Sequence, residues 1–175
     1  MQLLFNFLLF DGAQAELNLN QGLILNPSYR SLYYDRSEED LDDVASYLFA
    51  FDRQTAFKEW FLNNGWGNSW GVIVTTQIIF DECWKHFRKI IIVKTEEGQE
   101  FYFRFYDPRI LKIFLPTCDE KQIIEFFGPM ESFIVEGDTK EEAIRFWHQD
   151  GILKQEVLPV EKVFGKTIET TDKDN

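Results

Sequence analysis

The chain has 175 residues, a net charge of -12 and a pI near 4.6. That balance argues against nucleic-acid binding, which needs a basic patch to displace phosphate counterions, and against docking on an anionic membrane surface. It suits solubility alone, or a basic protein partner met at a raised on-rate. Hydrophobic residues make up 45% and aromatics 17%, with 18 Phe, so a core can be built and some aromatics are left for partner surface. Cys83 and Cys118 form no C-x-x-C pair, and only His86 and His148 could join them. A metal site is therefore not expected, no cofactor is implied, and reduced thiols in a cytoplasmic protein are the default.

Leu3 to Phe10 is apolar, short and without a basic flank, so it predicts a buried first strand rather than a signal peptide or a membrane span. Asp11-Gly12-Ala13 is a turn at the end of that strand. It is either an ordinary Asp-Gly turn or a functional carboxylate at a strand end. Ala13 to Leu23 is ambiguous, with Gln14 to Leu17 able to open a short helix. Tyr29, Leu32, Tyr33 and Tyr34 form an aromatic patch. Asp35 to Asp43 is an acidic run, read as a solvated segment or as a contact for a basic partner.

Val44 to Phe51 predicts a strand. Gln54 to Asn63 predicts an amphipathic helix with Ala56, Phe57, Trp60 and Phe61 on one face, stopped at Asn63-Asn64-Gly65. The loop Trp66-Gly67-Asn68-Ser69-Trp70-Gly71 is a tight connection with aromatic anchors and lacks the lysine of a phosphate-binding loop. Trp60, Trp66 and Trp70 either close the core or expose at least one ring as a partner hot spot.

Gly71 to Thr76 is a β-branched strand. Phe80 to Arg88 predicts a helix burying Phe80, Cys83, Trp84 and Phe87. Lys89 to Thr95 and Phe101 to Tyr106 predict an antiparallel hairpin across Glu96-Glu97-Gly98-Gln99. Asp119 to Phe127 predicts a helix with Ile123, Ile124, Phe126 and Phe127 apolar. Ser132 to Glu136 is a strand, and Lys140 to His148 is a helix or a last strand. Residues from Gly151 onward are weakly patterned, with residues 1–164 as one domain and 165–175 a polar, frayed tail. The expected class is α/β (mixed α+β): a central mixed β-sheet with an antiparallel hairpin, flanked by helices.

The densest stretch is Phe101 to Leu111. Phe101, Phe103 and Phe105 alternate with Tyr102, Arg104 and Tyr106, and the chain then meets Asp107-Pro108. Proline suits the first helical turn and Asp107 is a good N-cap, so strand, junction and short helix are expected. Arg104, Asp107, Pro108 and Arg109 are read as a structural ion-pair and cap cluster. No catalytic constellation emerges. Cys83 and His86 share a helix face, but no nucleophile motif surrounds them.

Phe103-Arg104-Phe105-Tyr106-Asp107-Pro108-Arg109-Ile110-Leu111 resembles the signature of the DUF4123 family, adaptors (chaperones) of bacterial type VI secretion. Weaker likenesses lie in the same order at Leu8 to Ala13, Ala45 to Phe49, Trp66-Gly67 or Trp70-Gly71, His86 to Ile90 and Phe127-Gly128-Pro129, so the similarity covers most of Leu3 to Ile134. Little chain follows Phe164, where many members continue into a longer helical region. The resemblance implies no enzyme activity. It implies a cytoplasmic adaptor that binds the N-terminal segment of an effector and helps load it onto the VgrG spike protein. Asp11, Trp60, Trp66, Trp70, Tyr106, His86 and Arg88 are its candidate partner-binding residues. A toxin-binding immunity protein, or a small hydrolase using acidic residues near Asp11 and Asp107, is the alternative.

Overall fold

Strand β1 (Phe5–Asp11) is apolar on both faces because both faces are covered. A computed structural model describes residues 3–33, 46–52 and 55–165. The acidic run 35–43, Tyr34, Val44, Gln54 and the tail beyond Gly165 lie outside the described residues. A short helix α1 (Gly12–Ala15) and a helix α2 (Leu19–Leu25) follow β1. Next come β2 (Tyr29–Ser31), β3 (Ser46–Ala50), α3 (Thr55–Asn64), β4 (Gly71–Thr76) and α4 (Phe80–Ile90). The hairpin β5 (Ile92–Lys94) and β6 (Glu100–Tyr102) leads to α5 (Pro108–Phe114) and α6 (Glu120–Phe127). The chain ends with β7 (Met130–Glu136), β8 (Glu142–Gln149), β9 (Ile152–Pro159) and α7 (Glu161–Phe164).

Seven strands form one sheet in the order β2-β3-β1-β4-β7-β8-β9, and β5-β6 stands apart as a second, two-stranded sheet. The α+β class, the hairpin and the flanking helices are as expected. Every pairing in the large sheet is antiparallel. Phe7 and Leu9 of β1 enter a core shared with α4, α5 and α6, around Phe87, Phe105, Leu111, Phe126 and Phe133. Leu8 and Phe10 enter a second core with α2, α3 and α7, around Phe49, Phe57, Phe61 and Trp66. Alternate side chains thus serve opposite faces, and the continuous apolar run follows from that double coverage.

Several details differ from the periodicity. Helix α4 continues through Ile90, so β5 starts late and offers β6 only three partners. Phe103 N–H still donates to Ile91 O, at 2.8 Å. Beyond it the ladder has no partner, and Phe103 to Asp107 is irregular rather than strand. Phe105 instead turns inward and stacks on Phe87 at 5.5 Å. Residues 142–149 are strand, and the weakly patterned segment after Gly151 is β9 plus α7. Ala56 and Ile124 face solvent, while Leu62 is buried in place of Ala56. Among the described residues no helix is long and apolar enough to cross a membrane.

Gly71 sits where β4 pairs with Phe10, and a Cβ there would collide with the Leu9 carbonyl oxygen. Glycine within a strand often marks such close backbone approach. Gly71→Ala is expected to cost about 2 kcal/mol, lowering Tm by about 4–8 °C in a chain of this size. Thermal unfolding followed by circular dichroism measures this.

Candidate functional site: a buried carboxylate junction

Asp11 ends β1 with 1% of its surface exposed. A carboxylate in that position needs donors, because an unpaired buried charge is costly. One oxygen accepts from Gln14 N–H at 3.2 Å, which caps α1. The other accepts from Arg104 Nη2 at 2.8 Å. The backbone N–H of Asp11 donates to Trp70 O at 2.7 Å. One residue therefore joins the end of β1, the glycine-rich loop before β4 and the irregular segment after β6.

Asp107 lies on the other side of Arg104, whose Nη2 is 3.6 Å from its carboxylate. Its Oδ1 accepts from Arg109 N–H at 2.9 Å and from Nε at 3.0 Å, and its Oδ2 from Nη2 at 2.7 Å. The side chain is both N-cap of α5 and half of a bidentate ion pair, with Pro108 in the first turn. Burial alone would raise its pKa. The hydrogen bonds and charge of Arg109, helped by Arg104, outweigh it, and the carboxyl lies below its ordinary value.

Tyr106 is buried behind this pair, and its hydroxyl meets that of Tyr33 at 2.7 Å. Burial first, then the Tyr33 hydroxyl, pushes the Tyr106 phenol well above its usual range, so it stays neutral. Arg104, Asp107, Pro108 and Arg109 lie together at the start of α5, with Asp11 and Tyr106 beside them. Each oxygen of both carboxylates accepts from at least one donor.

The other candidates lie elsewhere. Trp60, Trp66 and Trp70 are at most 7% exposed and pack in the core on the second face of the sheet, so none presents its ring to solvent. Trp66 also donates through Nε1 to Lys140 O at 3.0 Å. Arg88 on α4 donates to Leu32 O at 2.7 Å and lies over Trp84. His86 Nε2 meets Phe126 O at 2.9 Å, while the Cys83 thiol points to Met130 Sδ. Those two side chains serve different partners and form no dyad. Burial pushes the Cys83 thiol far above its ordinary pKa, leaving it un-ionised.

Glu136 was not singled out by the sequence pattern. It ends β7 at 8% exposed and accepts from Gly67 N–H at 2.7 Å, Ser69 N–H at 3.1 Å and Ser69 Oγ at 3.0 Å. Gly67 and Ser69 have φ of +83° and +61°, and their N–H groups, two residues apart, both turn toward one anion. The signal available was a loop with unpaired N–H groups and an acid ending an apolar strand.

Removing Arg104 strands the Asp11 carboxylate and removing Arg109 strands that of Asp107, side chains only 1% and 3% exposed, although both arginines reach the surface. Arg104→Ala and Arg109→Ala are each expected to cost about 1–3 kcal/mol, since a buried carboxylate loses its charged donor. Urea unfolding measures this, and a loss below about 0.5 kcal/mol in Arg104→Ala would refute the Asp11 anchor. His86 gives a pH signature. Burial holds its pKa below the ordinary value, the Phe126 carbonyl opposing this only in part. The unfolded chain therefore binds that proton more readily. The stabilisation is complete above the ordinary histidine pKa of about 6.5 and is lost as pH falls below it. The Tm decline from about pH 7 to about pH 5 should be shallower in His86→Gln than in the parent.

A family model described as a domain of unknown function (DUF4123) matches residues 6–125. The span runs from β1 into α6 and takes in Asp11, the glycine-rich loop, α4 and the Asp107 junction. It stops short of Phe127-Gly128-Pro129 and of Ile134. No curated protein and no solved structure matches the chain. With more than half of its length matched, from the first strand through the carboxylate junction, the chain belongs to the DUF4123 family.

Proposed function

We propose that the protein is a non-enzymatic adaptor that binds the N-terminal segment of a type VI secretion effector in the cytoplasm and promotes its loading onto VgrG. The observation that carries this reading is the mutual pairing of the motif residues. Asp11, of the Asp-Gly turn, takes its side-chain donor from Arg104 and gives its own N–H to Trp70. Three separated segments that resemble the secretion adaptors are therefore one another's partners. Adaptor activity needs a stable scaffold and an open surface rather than a reactive group. The donors around Asp11 and Asp107, and the separate partners of Cys83 and His86, fit that demand.

The test is co-expression with a candidate effector and VgrG from the same genome. Co-elution of the tagged chain with a fragment holding the effector's N-terminal segment is the expected result, along with effector export that fails in its absence. Recovery of neither protein overturns the reading. Protection of cells from the toxin with export unchanged would identify an inhibitor instead.

A further inference from the structure

Natural proteins keep sheet edges short, bulged or covered, because a long open edge recruits another strand. At one end of the large sheet β2 obeys this with three residues. At the other end β9 has eight and pairs only with β8 among the described residues. Two apolar side chains of β9 are largely exposed, Ile152 at 59% and Val157 at 63%.

The direction of the backbone groups follows from the register. Val160 N–H donates to Glu141 O at 2.8 Å, and Glu142 is paired with Pro159. Antiparallel partners alternate between bonded and non-bonded pairs. Ile152, Lys154, Glu156 and Leu158 therefore turn their N–H and C=O groups toward β8, and Leu153, Gln155 and Val157 turn theirs outward. Pro159 falls in the outward set, where its missing N–H costs the β8 ladder nothing.

We propose that β9 is the seam of a twofold homodimer, in which Ile152–Pro159 pairs antiparallel with its own copy about Gln155. The strand is self-complementary in that register. Lys154 faces the partner subunit's Glu156, and Glu156 faces the partner subunit's Lys154. Ile152 faces the partner subunit's Leu158, and Val157 faces the partner subunit's Leu153. Each exposed apolar side chain thereby gains an apolar neighbour on its own face. The outward groups of Leu153, Gln155 and Val157 form about six ladder hydrogen bonds across the axis. Glu156 already holds Arg145 at 3.2 Å, and the partner's Lys154 adds a second cation to it. The contact is isologous and closes at two copies. A seam of this kind falls below the roughly 1,600 Å² of a standard stable interface, so the dimer dissociates on dilution. This inference stands independently of the adaptor reading.

Sedimentation equilibrium of the full chain, from about 1 to about 200 μM, tests it. A reversible monomer–dimer equilibrium is expected. Lys154→Glu places Glu opposite Glu156, and Glu156→Lys places Lys opposite Lys154. Each variant alone should weaken the dimer about tenfold. Mixing the two variants restores opposite charges across the seam, and the mixture should associate as the parent does. A folding defect could not produce that rescue. Gln155→Pro, which removes the central outward N–H while leaving the β8 ladder intact, should leave a monomer with an unchanged far-ultraviolet spectrum. A parent chain that stays monomeric throughout, a dimer indifferent to these variants, or a mixture without rescue each overturns the proposal.

Discussion

The rest of the structure depends on satisfying one buried carboxylate. Asp11 closes an interior strand of the sheet, where an uncompensated charge would cost several kcal/mol. Its two oxygens start α1 and hold Arg104, a residue 93 positions further along the chain. Arg104 in turn approaches Asp107, which opens α5 and holds Arg109. The route of the chain after the hairpin is thereby fixed from the end of β1.

Glu136 repeats the device beyond β4, in the large sheet. Like Asp11, it ends a buried strand, but its donors are backbone N–H groups of a neighbouring loop. The two residues hold opposite sides of the same connection, Asp11 through its backbone and Glu136 through its carboxylate. Asp11 N–H binds the carbonyl of Trp70, and Glu136 binds the amides of Gly67 and Ser69. Backbone N–H groups of the loop are met by an acceptor from β7, so a tertiary partner defines its shape. Its tryptophans are held inward as a result, with Trp66 locked by Lys140 O and Trp70 against Phe10.

The aromatic richness is largely spent on covering a sheet from both sides. Phe7 and Leu9 go one way, Leu8 and Phe10 the other, and each core needs its own large side chains. An antiparallel sheet usually leaves one face to solvent and so shows alternation. Here the alternation is missing from β1, β3 and β4, and the order of strands and helices along the chain suggested a mixed sheet where every pairing is antiparallel. Period alone does not carry strand direction. Direction is decided by connections such as the tight turns between β7, β8 and β9.

Local chemistry was legible wherever it was sufficient. Asp107-Pro108 as cap and first turn, the hairpin across Glu96 to Gln99, the helix with Cys83 and Phe87 inward and the strand Gly71–Thr76 follow from capping, turn and periodicity rules that need no distant partner. What the tertiary structure alone decided was everything requiring a second segment. Phe101 to Tyr106 alternates like a strand, but α4 runs through Ile90 and removes the ladder partner, so Phe105 packs inward instead. The ion pair of Asp11 with Arg104, the loop clamp at Glu136 and the buried state of the three tryptophans are likewise set by packing. A residue's sequence neighbours state what it can form, and only the fold brings the distant charge or carbonyl that decides among those options.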